Sequence, residues 1–169
     1  NSKKKNIFEL YDYFFTPLSQ KDFVNQGYGA TANLWVKRSV FFQVGPFRED
    51  LFDGGDVEWC FRARSLGFPL SYAGTATIFH PLRRSFSSTI VRTRRTLGGR
   101  RGLRSLNKEM EPFQDRWQRL REVLWVLARE RKHIGPLQWI PLLGAAFFLR
   151  LVELGESIRL FFFNNPEHL

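Results

Sequence analysis

Asp53-Gly54-Gly55-Asp56-Val57-Glu58-Trp59-Cys60-Phe61-Arg62-Ala63-Arg64 is the stretch whose reading decides what kind of chain this is. Two glycines between carboxylates let the backbone take positive φ and let a ligand come close to the main chain. A helical pattern begins at once, with Val57, Cys60, Phe61 and Ala63 on its buried side, and stops at Gly67 with Pro69 just beyond. Asp56 falls at the N-cap position of that helix. Free N–H groups and the helix dipole there favour the ionised carboxylate, the form a general base needs before it can take a proton. Capping alone is the commoner duty of an aspartate at a helix start, so the residues by themselves leave both roles open.

Composition bounds the rest. The 169 residues, 43% of them hydrophobic and 16% aromatic, suffice for one domain with a sizeable core and exclude a disordered chain. A single cysteine, Cys60, excludes an intrachain disulfide framework, no Cys/His spacing suits zinc, and a reducing compartment fits. The basic start, Lys3-Lys4-Lys5, is not followed by an apolar run of the signal-peptide kind. The formal charge of +10 is concentrated: between residues 81 and 108 lie Arg83, Arg84, Arg92, Arg94, Arg95, Arg100, Arg101, Arg104 and Lys108, and no acid. Such a block meets something polyanionic, be it a nucleotide diphosphate, phospholipid headgroups or nucleic acid, and charge alone does not choose among them.

Around the central stretch, residues 6–26 read as a short helix followed by a loop. Gly27-Tyr28-Gly29 is a turn, and residues 30–36 read as a short buried strand. Residues 37–44 form an amphipathic turn or two of helix that Gly45-Pro46 stops. Two more short strands are expected at 70–73 and 76–79, ending at His80-Pro81. The basic stretch is partly helical from 87 to 97, with Gly98-Gly99 as a break. Met110, Phe113, Trp117, Leu120, Leu124 and Leu127 recur at steps of three and four, which predicts an amphipathic helix closed by Gly135-Pro136. The apolar run at 134–149 is shorter than the roughly 20 residues a spanning helix needs and is interrupted by Pro136 and Pro141. An amphipathic segment ending in Phe161-Phe162-Phe163 follows, which suits an element lying on a membrane surface or, equally, helices that bury their faces on the protein.

In order and spacing, Ala30-Thr31-Ala32-Asn33-Leu34, Arg38-Ser39-Val40-Phe41, Val44-Gly45-Pro46-Phe47, Gly54-Gly55-Asp56-Val57-Glu58-Trp59, Arg62-Ala63, Leu66-Gly67-Phe68 and His80-Pro81 resemble the C-terminal half of family 2 glycosyltransferases, in particular a bacterial subgroup linked to exopolysaccharide assembly. The resemblance covers residues 25–102. It implies an α/β fold: part of a GT-A glycosyltransferase domain over residues 1–105, built of short strands and helices, followed by amphipathic and apolar helices over 106–169 as a membrane-associated tail.

It also implies roles. The family's acidic pair at this helix start has Gly55 in place of its first member, and Asp56 matches the second, the base that deprotonates the acceptor hydroxyl. Glu58 and Trp59 match acceptor-side positions, where a carboxylate binds sugar hydroxyls and an indole stacks on a pyranose; their plainer readings are a first-turn acid and a core residue. His80 matches a histidine that lies near the nucleotide diphosphate and in some members ligates a divalent metal, Mg or Mn; the plainer reading is a strand-end histidine bonded to backbone. Arg83, Arg84, Arg92 and Arg95 are candidates for binding the anionic substrate. Arg92-Thr93-Arg94-Arg95 has the arginine spacing of the processive members' motif but lacks its tryptophan. The donor-binding half, with an Asp-x-Asp metal site, is expected before Asn1, so that the 169 residues alone would not transfer sugar. Asp56-Val57-Glu58 does not replace it, because side chains two apart on a helix point about 200° away from each other.

The expected activity is inverting transfer from a nucleotide-sugar to a glycan or lipid-linked acceptor, at the cytoplasmic face of a bacterial plasma membrane, with an anionic membrane surface as partner. The alternative is a non-catalytic basic module bound to membrane or nucleic acid. Nucleic acid is not expected, since the arginine block lacks interleaved aromatics and any known nucleic-acid signature.

Overall fold

A computed structural model of the chain describes residues 5–16, 18–107, 129 and 136–163. Its elements are α1 (Ile7–Phe15), α2 (Gln20–Asn25), a 3₁₀ turn (Thr31–Asn33), α3 (Arg38–Val44), α4 (Gly55–Ser65), α5 (Phe86–Leu106) and α6 (Pro136–Phe163). The helix expected over 110–127 lies outside the described residues.

Among the described residues there is no strand, so the expected α/β architecture is corrected to a helical one. The reason lies in where the backbone groups of the expected strands go. In the segment at 30–36, the Gln20 amide donates to the carbonyls of Ala30 (3.1 Å) and Asn33 (2.9 Å) and accepts from Ala30 N–H (3.1 Å). The Thr31 N–H goes to the Asp56 carboxylate. Side chains thus take the bonds a neighbouring strand would have made, and the chain winds into a 3₁₀ turn. Around Gly74, Ala76 N–H bonds Ala73 O and Thr77 N–H bonds Thr75 O, which closes turns rather than a ladder. A two-stranded ribbon is marginal without a third strand or an apolar face to cover, and residues 71–80 are all exposed.

The helices form two small cores. In the first, Tyr11 of α1 packs with Leu142, Ala146 and Leu149 of α6, flanked by Leu10, Phe14, Ile90 and Trp139. Asn6 starts α1 with a reciprocal capping box, accepting from the Phe8 and Glu9 N–H groups while its own N–H reaches Glu9. In the second core, Val44 of α3 packs with Trp59, Cys60 and Ala63 of α4. Trp59 stacks on Phe41 at 6.1 Å and donates to the Gly45 carbonyl at 2.8 Å. At the C-terminus of α3, Arg62 donates to the orphaned Val44 carbonyl and, just past the helix, to Pro46 O. Gly67, at φ 84°, ends α4 in a Schellman motif, with Phe68 N–H on Ala63 O and Gly67 N–H on Arg64 O.

α5 runs from the first core, where Ile90 packs, to the loop before α4. It runs unbroken through Gly98-Gly99, where the sequence suggested a break. The glycines serve an approach instead: a Cβ on Gly99 would stand 2.5–2.7 Å from Cβ and backbone atoms of Asp53. Leu103, one turn on, lies against Gly54, whose φ of 81° starts α4. Two other expectations shift: the loop after α1 contains α2, capped by Ser19, and the apolar run and the amphipathic segment after it are one helix, α6, which continues through Pro141. That helix packs on α1 and α5, the second of the two readings its sequence left open.

Candidate active site at the start of α4

The α4 N-terminus and the 3₁₀ turn meet at Asp56, and α5 packs on Asp53 and Gly54 just before it. The helix begins two residues earlier than the sequence suggests, with Gly54 at the N-cap and no side-chain cap, so Asp56 is the second helical residue. It still serves the helix start, because its Oδ1 accepts the Val57 N–H at 3.0 Å. Its Oδ2 reaches across to the Thr31 N–H at 3.2 Å. Partial burial pushes the Asp56 carboxyl up from the ordinary aspartate value and Asp53's charge adds to this, while the Thr31 and Val57 N–H groups pull the other way. The expected lowering by the helix start is therefore outweighed by desolvation. A carboxyl raised from its ordinary value is a stronger base once ionised.

Two neighbours complete the immediate surroundings. The Tyr28 hydroxyl is pushed up to about 12, chiefly by burial and then by the Asp56 charge, with Arg100 opposing. Asp53, on the other side of the double glycine, accepts from Thr96 Oγ1 at 3.1 Å and lies 3.8 Å from Arg95 Nε. Arg92 lies further along α5; burial pulls its pKa down and Arg83 adds to that, while Asp12 and Asp53 oppose. Asp12 in turn pairs with Arg83 at 2.9 Å. Burial opposes ionisation of Asp12, yet bonds from Thr16 and from the Arg83 N–H and guanidinium carry its carboxyl below the usual range. A band of charged groups, Asp56 and Asp53, then Arg95 and Arg92, then Arg83 and Asp12, thus runs from the start of α4 to α1.

The structure gathers Asp56, Arg92, Arg95 and Arg83 along this band and places the other predicted residues elsewhere. Glu58 is buried and held by Arg62, with Oε1 2.6 Å from Nε and Oε2 3.0 Å from a terminal nitrogen. Trp59, 3% exposed, fills the α3–α4 core. Arg84 pairs with Glu9 at the start of α1, 2.9 Å away. His80 stands exposed in the loop after the Gly74 turn, Nδ1 3.0 Å from Pro81 O. No three His, Cys, Asp or Glu side chains among the described residues come together as a metal site. His80 is part of no such group among the described residues. Sequence reasoning passed over Asp53 and Tyr28; the acid's place before the double glycine and the tyrosine's place between Gly27 and Gly29 were the available signals.

With this geometry in view, a 75-residue stretch of the chain proves 36% identical to glycosyltransferase AglE of Haloferax volcanii, an alignment covering 44% of this chain and 25% of that protein. The chain is similar to a glycosyltransferase. This similarity supports sugar transfer in general. The chain spans about a quarter of the length of that relative. No family model matches the sequence, and no solved structure matches it.

Proposed function

We propose that this chain is the acceptor-side part of a glycosyltransferase that moves a sugar from a nucleotide-sugar donor to a hydroxyl of a glycan or lipid-linked acceptor, in building a surface polysaccharide. The observation that carries the reading is Asp56: a partly buried carboxylate with a raised pKa, held between two main-chain N–H groups at a helix start, with Asp53 near it and Arg95 on Asp53. In the reaction, Asp56 takes the proton of the acceptor hydroxyl as its oxygen bonds to the anomeric carbon. The bond from that carbon to the diphosphate breaks, and its electron pair leaves with the nucleoside diphosphate. One carboxylate on the acceptor side suits inversion at that carbon. Arg92 and Arg95, next along the band, are placed to offset charge on the departing diphosphate.

The test is a panel of nucleotide-sugars and glycan acceptors offered to the full-length protein, with nucleoside diphosphate release as the readout. Acceptor-dependent release from one donor is expected. Absence of both binding and release across the panel would overturn the reading.

A further inference from the structure

We propose that the Tyr28 hydroxyl is a second acceptor-binding group, donating to a sugar hydroxyl next to the one that Asp56 deprotonates, so that the acceptor is a sugar ring with two adjacent hydroxyls. The inference rests on the transferase reading for which hydroxyl reacts. The segment at 28–31 runs along the start of α4: the Thr31 N–H meets the Asp56 carboxylate at 3.2 Å, and the Gly29 N–H meets Cys60 Sγ at 3.4 Å. Asp56 and Cys60, an i,i+4 pair, share one face of that helix. Tyr28 packs against the core to which Cys60 belongs. Its ring stacks on Phe23, with centroids 5.1 Å apart and planes 22° from parallel, and its N–H bonds Phe23 O at 3.1 Å. The hydroxyl is therefore carried by a side chain fixed before a ligand arrives, on the same segment that holds Asp56.

Two unfilled hydrogen-bonding capacities come together there. Although burial draws the Tyr28 hydroxyl part-way out of water, it bonds no side chain or main-chain group among the described residues. A phenol in such a place usually has a partner, and where the protein gives none the bond falls to water or to a ligand. Asp56 Oδ1 accepts from the Val57 N–H and Oδ2 from the Thr31 N–H, which leaves a further lone pair on each oxygen. The two side chains are not bonded to each other, yet the Asp56 charge reaches the phenol. A ligand fits this pair if it offers one donor, to the carboxylate, and one acceptor, to the phenol. Adjacent hydroxyls of a sugar ring offer both. Charge narrows the class further: Asp56 and Arg100 act on the phenol with opposite sign, so an anion meets the one and a cation the other, while a neutral polyol meets neither penalty. With its pKa pushed up to about 12, the phenol keeps its proton and stays a donor at neutral pH.

The test offers the full-length protein the methyl pyranosides of glucose, galactose and mannose, each beside its monodeoxy analogues. Binding is read by saturation-transfer NMR and transfer by nucleoside diphosphate release. The parent is expected to bind one glycoside, to bind its analogue lacking one ring hydroxyl about tenfold more weakly, and to transfer to the adjacent position. Tyr28→Phe keeps the ring and its stack on Phe23. It should bind the intact glycoside about tenfold more weakly and that deoxy analogue as the parent does, with donor KM unchanged. Its melting temperature should be no lower than the parent's, because no bond within the protein goes with the hydroxyl. Equal losses on the glycoside and on every deoxy analogue would make Tyr28 a packing residue and overturn the proposal. So would transfer at a position not adjacent to the discriminated hydroxyl, or a parent that binds every monodeoxy analogue at full strength, a result that needs no variant. The expected binding pattern without release would contradict the transferase reading and support Tyr28 as a sugar-binding group. Release with unaltered acceptor affinity in Tyr28→Phe would support the transferase reading and overturn the role of Tyr28. A parent that binds none of the glycosides overturns the proposal.

Discussion

Asp56 pays for its position in stability, and the sign can be worked out. Its folded carboxyl is raised above the unfolded value, so the folded state prefers the proton, and the stability this contributes is lost as pH rises through the folded pKa. At neutral pH the ionised, partly buried carboxylate is thus a net burden that packing elsewhere carries, the pattern expected where a residue is kept for chemistry. One backbone bond tunes it. Thr31 opens a 3₁₀ turn behind Ala30, whose extended backbone (φ −66°, ψ 132°) is what a residue before proline adopts. Thr31→Pro therefore suits the local geometry while deleting the N–H that Asp56 accepts. Its expected effect is a further upward shift of the acid limb of kcat/KM, since a bond favouring the charged form has gone. A pH–rate profile checks this, and an unshifted limb would mean that another group titrates there.

At the scale of elements, α4 and α5 differ in how far the sequence could be read. α4 was legible because its stop signal is local: Gly67 takes φ 84° and closes the Schellman motif. α3 was legible for the same reason, ending at Gly45-Pro46. The glycines of α5 were not, because Gly98-Gly99 answers to a contact with Asp53, more than forty residues away, rather than to local backbone need. The expected strands failed for a related reason: alternation and β-branching say that a segment is extended, but whether it pairs depends on a neighbour, and here Gln20 and Asp56 supply the bonds instead. A pair of substitutions separates the two kinds of glycine. Gly99→Ala gains up to about 1 kcal/mol of helix propensity. It also meets backbone that cannot yield, and overpacking of that kind costs about 1–3 kcal/mol, so the variant should be less stable. In α6, Gly155 has nothing within 4 Å of a built Cβ, and Gly155→Ala should stabilise by up to about 1 kcal/mol. Thermal unfolding of both variants checks the contrast.

Over the whole molecule, α5 runs from the core of α1 and α6 to the loop before α4, and Asp56 lies just beyond that loop. Its surroundings draw on four separated parts of the chain: Tyr28 after α2, Thr31, the loop at Asp53, and α5. The central carboxylate could be found in the sequence because its signal, a double glycine before a helix, is contiguous. Asp53 is three residues away and was also within reach, but Tyr28 was not, since the segment at 28–31 comes to α4 only through long-range bonds, Gly29 N–H to Cys60 Sγ and Thr31 N–H to Asp56. The engagement of Arg84 with Glu9, 75 residues away, was hidden by distance, whereas Glu58 and Arg62 are an i,i+4 pair of α4 whose spacing was there to be read. The claim that joins these levels is that Asp56 is the general base of sugar transfer. Asp56→Asn keeps the side chain's shape and acceptor oxygen and removes only the charge. The measurement is transfer by the full-length Asp56→Asn protein, followed as nucleoside diphosphate release alongside donor KM and thermal unfolding. The predicted result is turnover lower by about 10²-fold or more with donor KM unchanged and a melting temperature at neutral pH no lower than the parent's. Near-parental turnover in a folded Asp56→Asn protein would contradict it.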